Sequence, residues 1–135
     1  MKVLVDTSVW SVALRRRNQA PNDPVSSSLA VLVEDGRVAI IGPIRQELLS
    51  GIRERAHFER LRDHLRAFSD TAVTTDDHEE AAAFFNRCRE KGIHGSNIDF
   101  LICVIAARHG FSIFTTDEDF GHFAKVLPIA LHAAN

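Results

Sequence analysis

Thiol chemistry has little to work with in this chain. Cysteine occurs only at Cys88 and Cys103, which form no CxxC pair and sit on apolar stripes. Both read as buried free thiols rather than a disulfide or a metal pair. The seven histidines are scattered and make no HxH or HxxxH pair, which argues against a histidine metal site of the zinc-enzyme kind. No apolar run approaches the ~20 residues of a membrane span, and the start of the chain lacks the long apolar region of a signal peptide. A cytoplasmic protein with no membrane partner is expected. A large excess of one charge is missing as well: the formal net charge is -2, which excludes an indiscriminate polyanion binder with an all-basic surface. Internal repeats and low-complexity tracts are absent too.

What is present suffices for one core. With 135 residues, 45% of them hydrophobic, the chain has the size of one ordinary domain, and a single domain over 1–135 is expected. Positive charge is nearly all arginine and clustered, at Arg15, Arg16 and Arg17 and again at Arg53, Arg55, Arg60, Arg62 and Arg66. Clustered arginine suits bidentate phosphate contact, and it equally suits a solvated helix face or a protein partner.

Strand-like and helix-like segments alternate. The run VLV at 3–5 is continuously apolar, as in parallel strands buried on both faces, and it stops at Asp6, Thr7 and Ser8. Val9, Trp10, Ala13 and Leu14 then keep helical spacing, with Thr7 or Ser8 as cap. Asn22, Asp23 and Pro24 open a second helix whose stripe is Val25, Leu29, Leu32 and Val33, ending at Gly36. A second buried strand is expected over 38–41, then a third helix from Gly42 and Pro43 with Ile44, Leu48 and Ile52 on one face. A fourth helix turns Phe58, Leu61, Leu65 and Phe68 inward, and a short strand is expected over 71–74. Asp76 and Glu79 have capping-box spacing for a helix that buries Ala81, Phe84, Phe85 and Cys88 and stops at Gly92. Ser96 or Asn97 caps the next helix, with Ile98, Leu101, Ile102, Ile105 and His109 along its stripe and Gly110 at its end. Strands over 112–115 and 128–131 follow, with a short helix around Phe123 between them. The fold class is α/β.

Acids recur where these elements meet. Asp6 follows the first strand; Asp117, Glu118 and Asp119 follow the strand over 112–115; Glu47 lies about one turn into the third helix, and Asp99 in the first turn of the helix capped at 96 or 97. Each alone has a plain explanation as a cap, a dipole partner or a surface charge. Topology correlates them, because parallel strands with right-handed crossovers bring their carboxyl ends to one edge, where open α/β sheets bind ligands. Asp6 and Asp117 converge there, and Glu47 and Asp99 can join them. Four carboxylates in one cleft repel strongly unless a hard cation with oxygen ligands neutralises them, so Mg²⁺ or Mn²⁺ fits and Zn²⁺ fits poorly. Acid-only sites of this type serve phosphoryl chemistry, with two ions about 4 Å apart when both are bound.

The segments VLVDTSVW at 3–10, PIRQELLSGI at 43–52, GSNIDFLICVIAARHG at 95–110 and FTTDEDF at 114–120 resemble, in order and spacing, the PIN-domain ribonucleases, and most of all the VapC-type toxins of bacterial toxin–antitoxin pairs. The resemblance covers essentially the whole chain. It implies a three-layer α/β/α PIN-like fold around a central parallel sheet of four to five strands. It implies Mg²⁺- or Mn²⁺-dependent endonucleolytic cleavage of RNA by metal-activated water, with no histidine required. It also implies homodimers and a cognate VapB-like antitoxin whose C-terminal segment wraps the toxin. By position, Asp6, Glu47, Asp99 and Asp117 match the family's catalytic and metal-binding acids, and Asp119 matches an additional acid that many members place two residues later. Thr7, Ser8 and Thr116 match supporting hydroxyl positions, and Arg15, Arg16, Arg17 and Arg53 stand as contacts for RNA or antitoxin.

Other classes fit less well. A receiver-type signalling domain wants paired early acids, a phosphoacceptor Asp on a middle strand and a late lysine, whereas the second strand here ends in Gly42 and Pro43 and Lys125 follows the acidic loop. A haloacid-dehalogenase phosphatase wants DxDx[TV] after its first strand, and Asp6-Thr7-Ser8-Val9 lacks the second acid. A housekeeping PIN-type RNA-processing nuclease and a non-catalytic PIN module share the fold. The intact quartet speaks against the latter.

Overall fold

A computed structural model describes residues 1–16 and 23–133. Its first strand, β1 (Val3–Val5), has all three side chains 0% exposed, and each such burial contributes about 1.5–3 kcal/mol relative to the exposed side chain. That stripe fixes β1 inside the sheet. β2 (Val38–Ala39) lies on one side of it and β3 (Ser112–Phe114) on the other, with β4 (Ala130–Leu131) beyond β3, and every pairing is parallel. Val3 faces Ser112 and Val5 faces Phe114, so β1 and β3 end level.

Helices α1 (Thr7–Arg16) and α2 (Pro24–Glu34) join β1 to β2; α3 (Gly42–Leu49), α4 (Arg55–Leu65), α5 (Thr75–Glu90) and α6 (Asn97–His109) join β2 to β3; α7 (Asp119–Phe123) precedes β4. The first connection crosses the sheet one way and the second returns past β1, so right-handed crossovers set α1 and α2 on one face and α5 and α6 on the other, with α3 packed against α1. α1 packs on α2 and α3, and α5 on α6. Helix layers thus cover both faces of a four-stranded sheet, within the range expected.

Several boundaries differ from the expectation. The chain over 71–74 is not a strand: one parallel bridge joins Ile40 to Asp70, with Thr71 N–H donating to Ile40 O at 2.8 Å. Its remaining backbone is committed elsewhere, Ala72 O accepting from Arg108 and Thr74 capping α5. The cap itself is not Asp76 with Glu79. Thr74 and Asp77 form the capping box, because Asp77 is 2% exposed and also takes a bidentate hydrogen bond from Arg108 at 2.7 Å through both oxygens. That pairing joins the first turn of α5 to the last turn of α6, while Phe85 meets Phe100 edge-on, so the two helices run antiparallel. α2 is capped by Asp23 ahead of Pro24, with Leu29 and Leu32 buried but Val33 exposed. α3 ends at Leu49, short of Ile52, and α4 ends before Phe68. There Arg45 of α3 hydrogen-bonds the carbonyls of Leu65 and Phe68 and pairs with Asp70 at 3.0 Å, closing the carboxyl end of α4.

Candidate active site

β1 delivers Asp6 to the sheet edge, where its N–H continues the ladder to Phe114 O at 2.9 Å. Asp6 is 7% exposed, and a carboxylate so buried needs donors. Two hydroxyls supply them at one oxygen: Ser8 Oγ and Thr115 Oγ1 each donate to Asp6 Oδ2 at 2.8 Å. Thr115 Oγ1 in turn accepts the Asp117 N–H at 3.0 Å, and Ser8 Oγ accepts the Thr116 N–H at 3.0 Å. The two strand ends are therefore laced together by hydroxyls. Thr116 takes part through its backbone. The threonine hydroxyl on Asp6 belongs to Thr115, which the sequence reading passed over.

Asp99 and Asp117 are each tied by one oxygen. Ser96 caps α6, its Oγ accepting from Asp99 N–H at 3.1 Å while Asp99 Oδ2 accepts from Ser96 N–H at 2.9 Å. Asp117 Oδ1 accepts from Asp119 N–H at 2.9 Å. Asp119 itself opens α7 and is exposed. Burial raises the Asp99 carboxyl above its ordinary range, the Ser96 hydrogen bonds oppose that, and the negative charges of Asp6 and Asp117 raise it further. Asp6, Asp99 and Asp117 thus share one field. Glu47 is held on α3 with Oε1 accepting from Thr7 Oγ1 at 2.7 Å, and Thr7, Glu47, Pro43 and Ile98 line one cleft.

Charge compensation sets this group apart. Asp77, the other buried acid, has Arg108, which holds it below the usual carboxylate range. Among the described residues no arginine, lysine or histidine forms an ion pair with Asp6, Glu47, Asp99 or Asp117. Nor does any described group hydrogen-bond Asp6 Oδ1, Asp99 Oδ1, Asp117 Oδ2 or Glu47 Oε2. Among the described residues no three acidic, histidine or cysteine side chains already surround a single point at ligand distance. The donor set is nonetheless all oxygen and anionic, which is the chemistry of a hard divalent cation. These hydrogen bonds hold one oxygen of each side chain and leave the other without a donor among the described residues.

The arginines are less gathered. Arg53 is exposed and has no acidic partner among the described residues, whereas Arg55 pairs with Glu59 and both Arg62 and Arg66 pair with Asp63. Arg17 and the side chains of Arg15 and Arg16 lie outside the described residues. No helix among the described residues is long and apolar enough to cross a membrane. Cys88 and Cys103 are free and buried, and burial raises both thiols.

The PIN domain family model matches residues 3–126. Ribonuclease VapC11 of Mycobacterium tuberculosis is 33% identical over 129 residues, covering 92% of this chain and 92% of that protein. Among solved structures, VapBC2 from Rickettsia felis bound to a DNA fragment from its promoter superposes with a TM-score of 0.77 at 16% identity, over 98% of each chain. FitAcB from Neisseria gonorrhoeae gives 0.76 at 20% identity, over 98% of this chain and 97% of that one. These last two are likenesses of fold.

Proposed function

The chain belongs to the PIN-domain family, and from that premise we propose that it is an endoribonuclease of the VapC type, the toxin of a toxin–antitoxin pair, acting on RNA phosphodiesters with Mg²⁺ or Mn²⁺. The observation that carries this reading is the uncompensated field of Asp6, Asp99 and Asp117, with Glu47 beside it and no basic partner among the described residues. Asp6, Asp99, Asp117 and Glu47 would hold the cation, with the exposed Asp119 at the rim. A divalent ion bound there supplies the acidity that makes water a nucleophile and neutralises the charge of the phosphodiester.

This chain's own groups do the positioning. Ser8 and Thr115 fix one Asp6 oxygen, and Oδ1 has no donor among the described residues. The Ser96 and Asp119 amides fix Asp99 and Asp117 through one oxygen each. Thr7 aims Glu47 toward the same edge. Among the described residues no cationic side chain pairs with these acids and would have to be displaced by metal. The inhibitory partner in this reading is a VapB-like antitoxin, in keeping with the VapBC2 and FitAcB likenesses.

The test is RNA cleavage by purified protein with Mn²⁺, with and without excess EDTA, against the Asp6→Asn variant. Cleavage that stops in EDTA and in the variant, while the circular dichroism melt is retained, supports the reading. Full cleavage by Asp6→Asn or in excess EDTA sinks it.

A further inference from the structure

Arg45 and Glu47 stand two residues apart on α3, which turns their side chains to faces about 200° apart around the helix. Glu47 meets Thr7 on α1. Arg45 reaches the other way, to the end of α4 and the chain after it, and all three guanidinium nitrogens find acceptors there. Nη1 donates to Leu65 O at 3.0 Å, Nη2 to Phe68 O, and Nε to Asp70 Oδ1 at 3.0 Å. That chain is anchored in turn. Asp70 bridges Ile40, two residues before α3 begins, and the Phe68 ring meets Trp10 edge-on at 5.5 Å between centroids. Trp10 lies one turn after Thr7 on α1. The helices α1 and α3 are therefore tied twice, directly at Thr7 and Glu47 and indirectly through Arg45, Phe68 and Trp10.

The rest of α3 fixes its rotation only weakly. It has eight residues, and its N-cap is Ile41, whose side chain can accept no hydrogen bond. Buried Ile44 and Leu48 decide which face lies inward, but apolar burial is non-directional. A planar guanidinium bonded to three separate residues is directional. We propose that Arg45 is a positioning residue for the acid cluster, its grip on Leu65, Phe68 and Asp70 setting the rotation of α3 that carries Glu47 to the edge where Asp6, Asp99 and Asp117 gather. The proposal rests on the metal-dependent nuclease reading of that edge. Among the described residues no hydrogen bond or ion pair joins Arg45 to any of the four acids, so it acts through the helix. Lysine keeps the charge and loses the planar fork, so Arg45→Lys isolates the geometry.

The experiment titrates Mn²⁺ into the wild type, Arg45→Lys, Glu47→Gln and the double variant, reading free ion by electron paramagnetic resonance and, in parallel, RNA cleavage. Arg45→Lys is expected to weaken Mn²⁺ binding about tenfold or more, as the loss of a residue that orients a ligand does, while cleavage recovers most of its rate at saturating Mn²⁺. In the Glu47→Gln background the same change should cost no further affinity, because the carboxylate that Arg45 places is already gone. An equal loss in both backgrounds, or none in either, overturns the proposal. Melting curves in EDTA show whether Arg45→Lys keeps its fold. If it does not, Asp70→Asn carries the same cycle: it weakens one of the three bonds and leaves both carbonyl bonds in place, and should give a smaller loss of affinity that again vanishes with Glu47→Gln. A lower melting temperature with unchanged Mn²⁺ affinity in these variants makes Arg45 a structural clamp only and overturns its positioning role. Asp6→Asn separates this claim from the reading beneath it. Mn²⁺ binding equal in wild type and Asp6→Asn removes the metal site and the proposal with it, whereas binding lost in Asp6→Asn and indifferent to Arg45→Lys removes the positioning role alone.

Discussion

Thr115 Oγ1 donates to Asp6 Oδ2 at 2.8 Å and accepts from Asp117 N–H at 3.0 Å, so one hydroxyl on β3's exit holds the carboxylate on β1's exit and the backbone of a second acid. Replacing it with valine keeps the shape and removes both bonds. Thr115→Val is expected to lower stability by about 1–3 kcal/mol, the cost of stranding buried polar groups, and to reduce RNA cleavage further than the lost stability explains. Thr115→Ser should restore most of both. Urea melts and cleavage rates on the three proteins decide it; a valine variant with wild-type cleavage removes Thr115 from the site.

Metal should stabilise the fold. An ion that binds only the folded protein adds about 2.7 kcal/mol at a hundred times its dissociation constant, which appears as a melting temperature raised by several degrees. The rise should vanish in Asp6→Asn. Equal melting curves for the wild type with and without millimolar Mg²⁺ or Mn²⁺ would contradict the metal site.

Asp77 controls acid stability through Arg108. Its carboxyl lies below the usual range because Arg108 binds both oxygens, a pull that outweighs the opposing effect of burial. A depressed folded value means the contribution is complete above the unfolded value of about 4 and is lost as pH falls through the lowered one. Arg108→Ala is expected to lower stability at neutral pH, by less than the loss of a fully buried pair would, because Arg108 is 44% exposed. The dependence of unfolding free energy on pH should flatten in that variant as pH falls through and below the unfolded value of about 4. An unchanged pH profile would show that other acids dominate.

Gly95 immediately precedes Ser96, the cap of α6, whose first turn holds Asp99. A Cβ there would stand 2.5 Å from Phe123 and 3.1 Å from Phe100. Both rings are fully buried and pack on each other at 4.8 Å between centroids, so neither can swing away. Gly95→Ala should destabilise by about 1–3 kcal/mol as an overpacked site and lower cleavage by moving the α6 cap. Gly121→Ala, with nothing within 4 Å of its Cβ, is the control and should be close to neutral in thermal melts.

The parts of the fold legible in sequence are those decided locally. The apolar run of β1, the Ser96 cap and the αL Gly110 follow from neighbours in the chain, and so does the placing of Asp6 and Asp99 at the ends of elements. The misses share a cause. Thr74 with Asp77 and Asp76 with Glu79 have the same spacing, and what selects the first is Arg108, 31 residues away from Asp77. Thr115 and Thr116 are indistinguishable as letters. Only the register of β3 on β1 turns the first hydroxyl onto Asp6. The strand expected over 71–74 fails for the same reason, since its backbone is claimed by α5's cap and by Arg108.

The pairing of β1 with β3 also dictates when the centre can exist. Asp6 is made 109 residues before its hydroxyl partner Thr115, and the neighbouring acid Asp117 comes later still. An incomplete nascent chain that stops short of β3 has no sheet position for Asp6 and no second acid beside it. Translation therefore yields the assembled centre only after β3 and Asp117 have been made, and its acids stay apart while the helices between them are synthesised.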